Sequence, residues 1–453
     1  MGTRMVPYAL SAPAPWREAG RQDLLLIRRA MTDTRRFLPI VLAAAIAGLP
    51  ACKRQRPGVD APPAAKPPAS ASIVAVAAPA AATAKPIDAS DAVRGAQRPQ
   101  PEPPPPPCLP SPEGREPAVP DLLEQASREF EKGRFEAALE CAREASRLDS
   151  QSVAAHHFRG AALTELGHLD EARTAYARAL ALDPDDPEVL RSAADLHVRR
   201  LGGRDDLELA LQYTHRAFAR AHRMKDRALI KDLHLLEAMA LDDLGRPGEA
   251  LAAASKAIEL DGKDREARRE KGVALFELCR FDEAKAELAR LNAEELDAWA
   301  EHYLGLIAER AQDDVAAAAH FARAQKLDGD AFKPTSTPSV SVFARVVQEE
   351  VARLPPSVQN GLKHANFAVV DLPDVGDLTA TDPPLSPGIL GLFRPPPEGA
   401  SDGEKPSIFL YRKNLSRAAH NEEELRREVR DTLIHEVGHL NGEDDDQLRD
   451  RGL

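Results

Sequence analysis

Gly160-Ala161-Ala162-Leu163-Thr164-Glu165-Leu166-Gly167-His168-Leu169-Asp170-Glu171-Ala172-Arg173-Thr174-Ala175-Tyr176-Ala177-Arg178-Ala179-Leu180-Ala181-Leu182-Asp183-Pro184 is the stretch that decides the fold of the middle of this chain. Strong helix formers lie on both sides of Leu166-Gly167, which reads as a turn, and Pro184 stops the second run because proline cannot continue a helix. The alanines and glycines let two antiparallel helices approach closely. Working outward, Ala137, Ala172, Ala210, Ala250, Ala284 and Ala318 recur at intervals of 35, 38, 40, 34 and 34 residues. Glu136, Glu171, Glu249 and Glu283 precede four of them, and Gly133, Gly167 and Gly245 fall at the inter-helix turn. A period of this size belongs to stacked helical hairpins. About six copies across residues 121–332 predict an all-α solenoid, lengthened in its third copy around Gly202-Gly203 and Arg204 to Asp206.

The pattern resembles the tetratricopeptide repeat, best in the copy quoted above. That resemblance implies a concave surface for a peptide or protein partner, with a rigid spacer as the plainer use. His156, His157 and His168 sit at scattered helical positions and read as packed or solvated side chains.

Bulk composition sets the frame. The chain has 453 residues, enough for more than one domain, and a net charge of -12 from 60 Lys+Arg against 72 Asp+Glu, which leaves no basic footprint for nucleic acid. Aromatic residues make up only 4%, favouring helices packed through small side chains. Cys52, Cys108, Cys141 and Cys279 form no zinc-binding spacing, and Cys141 and Cys279 read as small buried apolar residues.

Residues 1–52 read as an address. Phe37 to Ala51 is an apolar run between Arg35-Arg36 and Lys53-Arg54, about as long as a signal-peptide core and shorter than the roughly 20 residues a spanning helix needs. Leu49-Pro50-Ala51-Cys52 resembles the bacterial lipobox, although Pro50 is unusual there; the resemblance implies lipid attachment at Cys52 and an exported lipoprotein anchored in the cell-envelope membrane. A short uncleaved anchor is the alternative. Met31-Thr32-Asp33-Thr34-Arg35-Arg36 makes a normal leader start, so Met31 is the expected first residue. Residues 53–120, rich in Pro and Ala, bury too little apolar surface to offset chain entropy and predict a disordered linker.

Residues 338–453 read as a small α+β domain. Phe343, Val346, Val347, Val351 and Leu354 have helical spacing ended by Pro355-Pro356, while Phe367–Leu372 and Ile408–Tyr411 have strand composition. The last helix begins at an Asn421/Glu424 capping box and carries the apolar stripe Leu425, Val429, Leu433, Val437. His435 and His439 point about a third of a turn from that stripe, towards a cleft. His435-Glu436-Val437-Gly438-His439 is an HExxH motif: one helical turn aims two imidazoles at one zinc ion, with Glu436 beside it as general base. Gly442 then allows the left-handed bend that returns the chain towards the histidines.

This region resembles the small bacterial zincin-like metallopeptidases with the motif HExxHxxGxxD. The likeness extends to Phe343-Ala344, Leu354-Pro355, the run Pro387 to Phe393, Ile408-Phe409-Leu410-Tyr411-Arg412 and Asp445-Asp446-Gln447-Leu448. It implies zinc held by His435, His439 and Asp445, and peptide hydrolysis with Glu436 moving the proton. Residues 443–446 are all acidic, so Glu443, Asp444 and Asp446 remain alternatives for the third ligand. The expected protein is a multidomain zinc peptidase, a tetratricopeptide-type solenoid followed by a zincin-like domain. Its rival is a non-enzymatic envelope scaffold with a structural zinc module. Ile408–Tyr411 is expected to offer its edge to an extended substrate.

Overall fold

The computed structural model describes Cys108 and residues 118–333, 337–396 and 405–451. The apolar run before Cys52, Cys52 itself and nearly all of the Pro/Ala stretch lie outside these residues. No helix of the described residues is long and apolar enough to cross a membrane.

Six helical hairpins follow one another: α1 (Val119–Glu131) with α2 (Phe135–Leu148), α3 (Val153–Glu165) with α4 (Leu169–Leu182), and α5 (Pro187–Leu196) with α6 (Arg204–Met224). Next come α7 (Arg227–Asp243) with α8 (Pro247–Leu260), α9 (Arg265–Glu277) with α10 (Phe281–Glu294), and α11 (Ala298–Arg310) with α12 (Asp314–Leu327). Gly133, Gly167, Gly245, Cys279 and Gln312 all adopt a left-handed conformation at the turn between paired helices. The packed alanine lies five residues beyond each of them: Ala138, Ala172, Ala250, Ala284 and Ala317 are at most 3% exposed. Ala137 and Ala318 are thus one residue out of phase, because counting alanines alone cannot locate the turn that sets the phase. In the third hairpin, α5 runs into a π-helical turn, His197–Leu201, before Gly202 turns the chain left-handed. Extra residues there are taken up as a bulge.

Cys141 is not a free apolar side chain: it is joined to Cys108 in a disulfide. The pairing ties a residue ahead of α1 to α2, a contact that no helical periodicity could reveal.

After the repeats come α13 (Val340–Arg353), α14 (Pro356–Lys363), β1 (Asn366–Val370), α15 (Val375–Leu378), β2 (Gly391–Arg394), β3 (Ser407–Tyr411), α16 (Arg412–Ala418), α17 (Glu422–Leu440) and α18 (Asp445–Asp450). The three strands form one sheet in the order β1-β3-β2, with β1 parallel and β2 antiparallel to β3. This overturns the reading of Ile408–Tyr411 as an edge: β3 is the central strand, and its backbone is occupied on both sides. Four residues at Gly391 are too few to show strand periodicity, so β2 escaped the sequence reading.

Helix α17 begins at the expected cap, with Asn421 Oδ1 accepting from the Glu424 amide at 2.9 Å, while the Glu424 carboxylate reaches one residue further back than a capping box predicts and accepts from the His420 amide at 2.8 Å. Leu425, Val429 and Leu433 pack with Phe343, Val347 and Leu410, while Val437 packs with Ile408. The stripe is thus buried against the sheet and α13, which fixes the rotation of the helix. Glu350 of α13, fully buried, accepts hydrogen bonds from Arg426 and Arg430 on α17 and from Arg353.

The last repeat meets this domain through polar contacts. Arg310 Nη2 donates to the Pro373 carbonyl at 2.8 Å, Ser386 Oγ to Glu277 at 2.6 Å, Lys413 pairs with Asp314 at 3.1 Å, and Arg417 pairs with Glu309.

Candidate metal centre

The fixed rotation of α17 turns His435 and His439 away from the sheet, and both are partly buried, with side chains 16% and 24% exposed. Their Nε2 atoms lie 3.1 Å apart. Past Gly442, whose φ of 87° makes the left-handed bend, the chain returns as α18 and presents Asp445. Asp445 Oδ1 lies 3.5 Å from His435 Nε2 and 3.3 Å from His439 Nε2. Among the described residues these three form a group able to share one metal ion.

The spacing itself tests the fit. Ligands at about 2.0–2.2 Å in tetrahedral array stand roughly 3.3–3.6 Å from one another; the separations of 3.3 and 3.5 Å to Asp445 fall in that range and the 3.1 Å between the imidazoles is slightly shorter. His439 Nδ1 lies 3.0 Å from the Glu443 carbonyl. Donation to that carbonyl fixes the tautomer that leaves Nε2 free to ligate. Of the alternative ligands, Glu443 pairs through its side chain with Arg451, and Asp444 accepts from the Gln447 amide at 2.9 Å.

Electrostatics follow the same arrangement. Burial would raise the Asp445 pKa, but hydrogen bonds from His435 and His439 hold it well below the ordinary carboxylate range. Burial opposes a charged His439, yet the bond to Asp445 and the nearby Glu436 carboxylate leave its pKa raised. Glu436 is only 6% exposed, and burial pushes it up to about 7 against the opposing pull of both histidines and of the Phe393 amide.

Sequence reasoning missed the wall beside Glu436. A Cβ on Gly391 would lie 2.7 Å from Glu436 Oε1 and 2.6 Å from Thr432 Cγ2, so only glycine lets β2 come this close. The Tyr411 amide donates to the Leu390 carbonyl, and antiparallel pairs alternate. The backbone groups of Gly391 and Phe393 therefore point away from β3, on a side where no strand pairs among the described residues and the Phe393 amide reaches Glu436. Gly438 is tight in the same way: a Cβ there would meet Leu448 Cδ2 at 2.3 Å and Glu443 Oε2 at 2.9 Å. Cys52, the remaining site residue expected from sequence, lies outside the described residues.

Residues 362–453 match the profile of a family described as zincin-like metallopeptidase. This stretch is a zincin-like metallopeptidase domain. The arm that brings Asp445 to the histidines lies within it. Residues 123–187 and 243–309 match tetratricopeptide-repeat profiles, so the zincin-like domain follows a tetratricopeptide solenoid. Over 73 residues the chain is 44% identical to the protein CTR9 homolog of Arabidopsis thaliana, covering 16% of this chain and only 7% of that protein's length. Solved structures similar to it include pilF of Pseudomonas aeruginosa, 17% identical over 47% of this chain and 92% of that one, with a TM-score of 0.40. Others are PilW, a type IV pilus biogenesis factor, 17% identical over 46% of this chain and 92% of that one, TM-score 0.41, and YrrB, described as a tetratricopeptide protein with an unusual peptide-binding site, 21% identical over 42% and 94%, TM-score 0.33.

Proposed function

We propose that the protein is a zinc-dependent peptidase tethered at the cell envelope, whose helical repeats recruit a protein partner or substrate. The observation that carries this reading is the convergence of His435 Nε2, His439 Nε2 and Asp445 Oδ1 at tetrahedral spacing with a buried carboxylate, Glu436, beside them. Those three residues would hold the metal. When bound at three protein ligands, zinc lowers the pKa of a coordinated water and polarises a carbonyl.

The protein's own groups do the rest. Glu436, with a proton affinity near neutrality, accepts a proton from the attacking water at its carboxylate and returns it to the departing amine nitrogen. The outward N–H and C=O of Gly391 and the C=O of Phe393 suit an extended peptide laid along the edge of β2, while the Phe393 N–H is given to Glu436. The fully buried stripe of α17 and the Glu350 pairs keep the histidines oriented without help from substrate.

Tethering rests on the sequence around Cys52. The Cys108–Cys141 disulfide suits an oxidising compartment outside the cytoplasm. Cleavage of a mixed peptide library by the wild type and by Glu436→Gln tests the chemistry. The proposal expects turnover only from the wild type, with equal zinc content. Zinc in both and turnover in neither would make the chain a scaffold that uses its repeats alone.

A further inference from the structure

A cavity of about 460 Å³ lies where the last repeat meets the zincin-like domain, and neither His435 nor His439 lines it. Its origin is physical. In a solenoid each repeat is covered by its successor, and α11–α12 is followed by the zincin-like domain instead. That domain stands off on the polar contacts of Glu277, Arg310 and Asp314 described above, so the flank is bridged and not filled.

The lining has a definite chemistry. Phe276, Tyr303, Phe321 and Phe332 supply four rings, out of only 13 Phe, 5 Tyr and 2 Trp in the whole chain. Charge is biased the other way from the chain's net of -12: Arg310, Lys333 and Arg417 face Glu277 and Glu309. Glu309 is already engaged by Lys413 and Arg417, and Glu277 by Ser386. Lys333 is exposed and has no ion-pair partner among the described residues. Arg310 is partly buried with its guanidinium over the Phe281 ring, and its Nε and Nη1 meet no hydrogen-bonding partner among the described residues. A lysine without an ion pair and a guanidinium with two nitrogens lacking hydrogen-bond partners, beside an aromatic pocket, call for an anion carrying an apolar group.

We infer that this cavity binds an apolar monocarboxylate, with its hydrocarbon part among the four rings and its carboxylate towards Arg310 and Lys333. The ligand is a free aryl or alkyl acid or the terminal residue of a peptide, since both present this chemistry. Leu390 lines the cavity and is followed directly by Gly391, which abuts Glu436. Occupancy therefore braces β2 from behind. Binding itself does not depend on peptidase activity.

Calorimetric titration of the full-length chain with 3-phenylpropionate, decanoate, N-acetyl-Ala-Ala-Phe and the C-terminal amide of that peptide tests the inference. At least one of the three acids binds one-to-one, and the amide binds at least ten-fold more weakly than its acid. Whichever acid binds identifies the source, a free acid or a peptide end. Ala322→Trp fills the cavity and abolishes binding, while Lys333→Glu, a surface change that spares the fold, weakens it about ten-fold. His435→Ala leaves it intact, and amide exchange over residues 388–394 slows when the ligand is bound. The inference is overturned if no acid binds at 1 mM, if the amide equals the acid, if Lys333→Glu has no effect, or if His435→Ala abolishes binding. Unchanged exchange over residues 388–394 would overturn the link to β2.

Discussion

Replacing Glu350 with glutamine tests whether the motif helix is held in place by charge. Its carboxylate, 0% exposed, accepts from Arg353 at 2.7 Å, from Arg426 at 3.2 Å and from Arg430 at 2.7 Å. Hydrogen bonds to a charged group contribute about 1.5–3 kcal/mol each. The three guanidinium side chains are 60%, 20% and 40% exposed, so Arg353 and Arg430 regain water once released, and Arg426 keeps its pairs with Glu349 and Glu422. The net cost is therefore about 2–3 kcal/mol, below the ~3–5 expected for breaking a fully buried pair. Hydrogen exchange measured over residues 422–440 would then be roughly 30- to 150-fold faster in the variant, at 1.4 kcal/mol per factor of ten. The pH dependence has a sign. Burial would raise the Glu350 pKa, but the bonds from Arg430 and Arg426 leave it below its ordinary 4.5. The stabilisation is thus fully present above about 4.5 and is lost as pH falls through the lowered folded value. The difference between wild type and variant narrows on acidification. Exchange within threefold of wild type at neutral pH, or a gap that persists in acid, would refute the reasoning.

Three further outcomes are expected. His157 is held neutral by burial, aided by the charge of Arg191, with its pKa pushed down to about 3 from 6.5; the repeats lose stability as pH falls from 6.5 towards 3, by about 1.4 kcal/mol per unit. Urea unfolding of His157→Leu should lack this slope, and parallel curves for both proteins would contradict it. Gly438→Ala forces Leu448 and Glu443 aside, displacing the segment that carries Asp445, and should weaken zinc affinity at least ten-fold in a chelator competition while helix content stays constant; wild-type affinity would sink the idea. Phe393→Pro removes the outward N–H of β2 that Glu436 accepts and should cut peptide turnover more than ten-fold with the fold intact, whereas proline at Leu392, whose N–H faces β3, should unfold the sheet. Equal turnover by Phe393→Pro and wild type would show that the contact between β2 and Glu436 does not serve the reaction.

Sequence carried the site further than it carried the sheet. His435, Glu436 and His439 are legible because one helical turn fixes their relation, and the Asn421/Glu424 box and the stripe to Val437 fix how that turn faces. Asp445 could be separated from Glu443 and Asp444 only by the return of the chain past Gly442, which is a matter of tertiary geometry. The edge strand was misplaced for a similar reason. Ile408 to Tyr411 announces itself by β-branched and aromatic residues because it is central and buried, while Gly391 to Arg394 is a true edge with little composition to mark it. In the repeats the alanine period was visible, but its phase needed the left-handed turn residues, two of which are Cys279 and Gln312 in place of glycine. The Cys108–Cys141 pair links a segment outside the repeat pattern to α2, so no local signal foretold it.

The central claim is that His435, His439 and Asp445 together hold one zinc ion next to Glu436. Zinc stoichiometry and affinity of the full chain, measured side by side for wild type, Glu436→Gln and Asp445→Asn, test it most directly. One tightly held ion in the first two proteins and binding at least ten-fold weaker in the third is the predicted result. Equal affinity in all three, or no zinc in the wild type, would contradict it.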